Sequence, residues 1–265
     1  MPTTNNNQPA KSSTLSLPAL IGGSSLHALR GCGEPQTVTV PTPYQGEAIN
    51  LQYYADHSTP FLFVPRHGQQ QHLAPHQINY RAIVWALRQG GARCVVSLNT
   101  VGGIHESLQP GMLCLPDQVI DYTWGRANTY YDPTDRRTGI PALDFSEPYS
   151  AALRARVMEA AQAAALPLVA QGTYGCTQGP RLETAAEIRR LQRDGCDMVG
   201  MTAMPEAILA RELNLPYCSL ALVVNRAAGL PGANLDIGAM HACVEQARDR
   251  IEALLRKLLP ALAAD

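Results

Sequence analysis

The chain has 265 residues, 46% of them hydrophobic and 16% charged, which suits one large globular domain and excludes a disordered polypeptide. A formal net charge of -1 without a long Lys/Arg run argues against nucleic acid as a partner. The 7 cysteines form no C-x-x-C pair, so neither a zinc ribbon nor a thioredoxin-type centre is expected; reduced cytosolic thiols are, with Cys94, Cys114 and Cys218 as small core residues.

Residues 1–16 are small and polar and read as a loose tail, leaving 17–265 as a single domain. No basic-then-apolar signal and no apolar run of about 20 residues is present, so no membrane span is expected. LPALIG reads as a strand entering the turn Gly22-Gly23-Ser24-Ser25. VTVP and FLFVP read as strands, the second delivering Arg66 and His67. Tyr80 to Gln89 carries helical apolar spacing with Gly90-Gly91 as its stop. ARCVVSLNTVGG reads as a buried strand running into a glycine loop, and MLCLPDQVIDYT as another strand. Residues 125–146 are loop-like, and 150–165 form an Ala-rich helix. A strand over LVAQGTYGC, a helix over LETAAEIRRLQRDG, the strand DMVGMT, the helix AMPEAILARELN and the strand YCSLALVVN follow. A Gly/Pro/Asn loop spans 226–235, and a last helix runs from about Asp236 to Leu262.

This alternation predicts an α/β fold, a single domain with a central, twisted, mostly parallel or mixed sheet flanked by helices. Ligands of such sheets gather at the carboxyl ends of the strands. Ser24, Arg66-His67, Asn99-Thr100, Thr202 and Asn225 all fall there. Gly22 to Ser25 fits neither common nucleotide-loop pattern, but glycine amides with hydroxyls can cradle one phosphate, and an arginine fork suits the same anion.

The ordered set GGSSL, PRHGQQQHLAPHQINYRAIVWAL, NTVGGIHESLQPG, GPRLETAAEIRRL, GMTAMPEAILARE and VVN, over residues 19–259, resembles the trimeric purine nucleoside phosphorylases, in their methylthionucleoside branch. The resemblance implies phosphate binding by Ser24, Arg66, His67, Asn99, Thr100 and Thr202, with the 99–103 loop also touching the sugar. It implies that Met201 packs on the ribose and that Glu183 and Asn225 surround the purine, with Asn225 assisting the leaving group. It implies no metal and no cofactor, inorganic phosphate as co-substrate, and a cytoplasmic homotrimer acting on small-molecule nucleosides.

Members that use 6-oxopurines carry Glu and Asn at these two positions, as here, whereas adenine-preferring members carry Ser and Asp. An apolar residue, Ile237, stands where enzymes for ordinary nucleosides place a histidine, with His241 one turn on. The implied reaction is phosphorolysis of S-methyl-5'-thioinosine. An inosine/guanosine phosphorylase, a methylthioadenosine phosphorylase and a silent nucleoside-binding protein are the alternatives. Trp124 reads equally as packing or as part of the site.

Overall fold

The computed structural model describes residues 16–24, 29–30, 32–44, 48–55, 58–132, 134 and 142–263. Ser25 and residues 1–15 lie outside them, so the tail expectation is not addressed. The described residues hold eleven strands in one mixed sheet, and five helices. The strands are β1 (Leu17–Gly22), β2 (Gln36–Val40), β3 (Ile49–Tyr54), β4 (Phe61–Pro65), β5 (Ala92–Gly103), β6 (Leu113–Cys114), β7 (Gln118–Asp121), β8 (Leu168–Val169), β9 (Thr173–Cys176), β10 (Met198–Gly200) and β11 (Tyr217–Arg226). The helices are α1 (Tyr80–Gln89), α2 (Ala151–Ala163), α3 (Ala185–Arg193), α4 (Ala203–Glu212) and α5 (Ile237–Ala263).

The sheet runs β2-β3-β4-β1-β5-β10-β9-β7, and a second branch β11-β6-β8 leaves the other edge of β5. The strands β4, β1, β5 and β11 are parallel neighbours, so their carboxyl ends lie together. β5 is the hub because it is long and buried almost throughout, the pattern of a strand covered on both faces. Its first half pairs with β1, and its last two residues, Gly102 and Gly103, pair antiparallel with β10. The main core packs Leu20, Ile21, Phe61, Phe63 and Val96 from these strands with Leu254, Leu255 and Leu258 of α5.

Three local departures from the sequence reading have simple causes. MLCLPDQVIDYT is two short strands, because Pro116 has no N–H to continue a ladder. The segment LVAQGTYGC likewise breaks, at Gly172. The two breaks coincide: Gly172 N donates to Asp117 Oδ1 at 2.8 Å, and both chains pass together from the β6–β8 pair to the β7–β9 pair. Finally, β3 was not expected at all. Its polar alternation suits a strand near the sheet edge, where it pairs antiparallel with β2 and β4.

Candidate active site

One cleft opens where the parallel strands end. Ser24, Arg66, His67, Thr100, Val101, Gly102, Glu183, Met201, Thr202 and Asn225 line it, with Leu182, Leu235 and Met240 among its apolar residues. Of the ten residues expected in the site, eight meet here; Asn99 and Ile237 do not.

At one end lie hydroxyls, a histidine and an arginine edge. Ser24 follows β1, and Gly23 before it has no room for a side chain: a Cβ there would come within 2.6 Å of Leu98 O and 3.0 Å of Arg66 Nη1. His67 is pinned by its ring nitrogen Nδ1, 2.7 Å from the Leu73 carbonyl, while Nε2 lies 3.3 Å from Ser24 Oγ. A carbonyl only accepts, so the Nδ1 proton is fixed and Nε2 is the nitrogen turned to Ser24. Burial, with the Arg66 charge second, holds this histidine below its ordinary pKa, which favours the neutral ring and makes Nε2 an acceptor facing the Ser24 hydroxyl.

Arg66 is only 1% exposed, and its fork is already engaged. Nε donates to Glu206 Oε1 at 2.5 Å, Nη2 to Glu206 Oε2 at 3.2 Å and to Ser97 Oγ, and Nη1 to the Leu98 carbonyl at 3.1 Å. A bound anion would therefore meet the outer edge of the guanidinium rather than the open two-pronged fork that the sequence suggested. Glu206 is fully buried and also accepts from Ser97 Oγ and Tyr217 Oη, each at 2.8 Å. Sequence reasoning missed it, because a Glu in the first turn of AMPEAILARE looks like an ordinary helix-surface residue.

Asn99 stands behind the cleft and not in it. It is 3% exposed, and its amide lies 2.8 Å from the hydroxyls of both Thr202 and Ser219. With its oxygen turned to Thr202 it accepts from Oγ1 there and donates to the Ser219 hydroxyl and the Ser97 carbonyl, which satisfies both ends. It stands one step back from the cleft that it was expected to line, and it holds Thr202. That threonine is the N-cap of α4, yet its hydroxyl makes no capping bond. The helix breaks at once, at Met204 (φ -114°, ψ 134°).

At the other end, Glu183 and Asn225 line the cleft. Thr177 Oγ1 donates to Glu183 Oε1 at 2.6 Å. Burial raises the Glu183 pKa, and the Thr177 hydrogen bond works against that rise. Thr184 begins α3 with a capping box: its side chain accepts from Glu187 N at 3.1 Å, and Glu187 Oε2 accepts from Thr184 N at 2.7 Å. Glu183 is the residue just before this rigid cap. Asn225 is aimed by a bulge in β11, where Val223 pairs with Val101 but Asn225 pairs with Gly102. Its Nδ2 donates to the Arg226 carbonyl at 2.8 Å, which fixes the amide and leaves Oδ1 and one N–H for a ligand. Met201 packs its sulfur against Gly179, where a Cβ would come within 2.5 Å.

Ile237 is 55% exposed and does not line the cleft. It is the first residue of α5, and the side chains that reach inward from this region are Leu235, two residues before it, and Met240, one turn later. Trp124 is 72% exposed and borders a neighbouring hollow that shares Glu183 with the cleft and includes Gln178, Arg181 and Arg190. Among the described residues no group of His, Cys, Asp and Glu could hold a metal ion, and no helix is long and apolar enough to cross a membrane.

An anion-type pocket beside a carboxylate–amide pair, at the strand ends of this sheet, defines the class. The chain belongs to the phosphorylase superfamily, whose model matches residues 19–260. It is 44% identical over 243 residues to a probable S-methyl-5'-thioinosine phosphorylase of Pseudomonas syringae pv. tomato, covering 92% of this chain and 98% of that one. A protein of the same description from Xanthomonas campestris pv. campestris is 49% identical over 80% of this chain and 84% of its own length. The 6-oxopurine nucleoside phosphorylase of Pyrococcus furiosus is 38% identical over 91% of each chain. Among solved structures, methylthioadenosine phosphorylase from Schistosoma mansoni in complex with adenine superposes with a TM-score of 0.86 at 25% identity, covering 95% of this chain and 93% of that one.

Proposed function

We propose that the chain cleaves a 6-oxopurine 5'-methylthionucleoside with phosphate, turning S-methyl-5'-thioinosine into hypoxanthine and 5-methylthioribose 1-phosphate. The observation that carries this reading is the presence of Glu183 and Asn225 in one cleft with Ser24, His67, Thr100 and Thr202. The relatives at 44–49% identity point to the same substrate.

The chemistry follows from these groups. The bond from C1' to the purine nitrogen breaks, its electron pair leaves with the base, and a phosphate oxygen bonds to C1'. Positive charge develops on the sugar, as in other glycosyl transfers, and phosphate held beneath it is the counter-charge. The Ser24 and Thr202 hydroxyls, each turning its proton from its protein partner to a phosphate oxygen, and the Arg66 edge position that anion. The departing base is negative, so donors aimed at it lower the barrier. The free Asn225 N–H donates to O6 and its Oδ1 accepts from a protonated N7. Glu183 accepts from N1–H, which a 6-oxopurine has and adenine lacks. A buried mismatch of this kind discriminates by roughly 10⁴ or more. Met201 lies against the ribose, and Leu235 and Met240, not Ile237, form the apolar wall suited to a methylthio group.

The enzyme works as a cytoplasmic homotrimer in this reading. Trp124, Leu182 and Leu235 are exposed at the cleft or the hollow beside it, where a neighbouring subunit would cover them. Base release from methylthioinosine with and without phosphate tests the proposal. Release that needs phosphate, with a sugar 1-phosphate as the second product, is expected; phosphate-independent release or none refutes it.

A further inference from the structure

Arg126 lies on the loop after β7 and is absent from the cleft, yet its guanidinium ties the segment leading to Glu183 to the segment bearing Met201 and Thr202. Nη1 donates to the carbonyls of Met201 at 2.8 Å and Met204 at 2.6 Å, and lies 3.3 Å from Tyr80 Oη. Nη2 donates to the carbonyls of Gln178 at 2.7 Å and Thr177 at 3.3 Å, and Nε to Gln178 Oε1 at 3.2 Å. All six partners are neutral oxygens. The guanidinium also stands over the Tyr80 ring, 5.5 Å from its centre.

The carbonyls it holds lie in irregular backbone or at the broken start of a helix. The backbone breaks at Met204, just inside the start of α4, and the Met204 carbonyl also accepts from Cys176 Sγ at 3.7 Å. The Thr177 and Gln178 carbonyls lie in the irregular stretch between β9 and α3, which ends in Glu183. Residues 201 and 204 bracket Thr202; residues 177 and 178 begin the path to Glu183, and Thr177 itself donates to Glu183. One planar cation thus fixes the distance between the segment bearing Met201 and Thr202 and the segment bearing Thr177 and Glu183.

We infer that Arg126 is a positioning residue for the reaction: it sets the separation of the base-recognition segment from the ribose and phosphate segment without touching substrate. The inference rests on the functional reading above. A lysine has one charged nitrogen with three donors and cannot span carbonyls on both sides, so Arg126→Lys is not conservative here. Misplacing a reacting group by about 1 Å costs on the order of 10²-fold in rate.

The test uses Arg126→Lys and Arg126→Ala in the full chain, assayed with methylthioinosine and phosphate, with melting temperature recorded. We expect kcat/KM for the nucleoside to fall at least tenfold in Arg126→Lys at a temperature where the variant is fully folded, with kcat carrying most of the loss. Guanidinium ion at tens of millimolar should restore part of the activity of Arg126→Ala, while ammonium should not, with wild type in the same salts as control. Activity lost only in proportion to unfolded protein, or a lysine variant equal to wild type, overturns the inference. A readout independent of turnover is hydrogen exchange at residues 177–184 and 201–204, which should speed up in Arg126→Lys. Unchanged exchange there refutes the positioning role. A wild type that releases no base refutes the functional reading instead.

Discussion

Glu183 is pulled in two directions. Its site needs an ionised acceptor for N1–H, while burial favours the protonated form and raises its pKa. The folded protein therefore holds this proton more tightly than the unfolded chain, and the group's contribution to stability falls as pH rises from the ordinary carboxylate range through the raised value. Glu183→Gln removes that opposition. At pH 7 the variant should melt at the same temperature as wild type or higher, while kcat/KM for methylthioinosine falls at least tenfold; calorimetry and kinetics on one preparation check both. In wild type, kcat/KM should decline on the acid side at a pH above the usual carboxylate range, because protonated Glu183 no longer accepts from N1–H. Asn225→Asp should weaken methylthioinosine use, by placing a carboxylate at O6, and help methylthioadenosine; with Glu183→Ser added, preference should move further toward adenine in a two-substrate assay. The identities of these two residues could be read from the sequence. The neighbours that fix them, Thr177 and the Arg226 carbonyl, could not, since they meet only in the folded chain. The same limit explains Ile237: alignment by position cannot show which residues around a helix start face inward. Met240→Ala should reduce the preference for methylthioinosine over inosine by roughly tenfold, the worth of a buried apolar group of this size, and Ile237→Ala should leave it nearly unchanged.

At the scale of elements, the arginine after β4 and the helix α4 form one unit. The Arg66–Glu206 pair is buried on both sides, so removing one partner strands the other. Glu206→Gln should cost about 3–5 kcal/mol of stability, read by denaturant unfolding, because Arg66 is left charged in a dry place. It should also raise the KM for phosphate more than that for the nucleoside, since the guanidinium edge loses its anchor. Equal changes in both constants would remove Arg66 from the phosphate end. Sequence patterns reached the elements themselves well: apolar spacing marked α1, and the apolar runs marked β1, β4, β5 and β11. They missed the single extra residue in β11 that aims Asn225, because a bulge is visible only against the partner strand.

On the scale of the whole molecule, the α/β class and the gathering of ligand-type residues at strand ends followed from the alternation of elements. The branching of the sheet at β5 did not, because two short strands joined through Pro116 read as one apolar run. Trp124, Leu182, Leu235 and Ile237 are exposed, and in the proposed homotrimer a neighbouring subunit covers them. Light scattering on active enzyme should give about three times the chain mass of 28.6 kDa. A monomer at that mass with full activity would show that the cleft needs no neighbour. The central claim is the choice of a 6-oxopurine, and the ratio of kcat/KM for methylthioinosine to that for methylthioadenosine, at saturating phosphate, tests it most directly. A ratio of roughly 10⁴ or more is predicted from the unpaired acceptors that adenine would leave at Glu183. A ratio near one, or one favouring methylthioadenosine, would contradict the assignment of Glu183 and Asn225 to the purine edge.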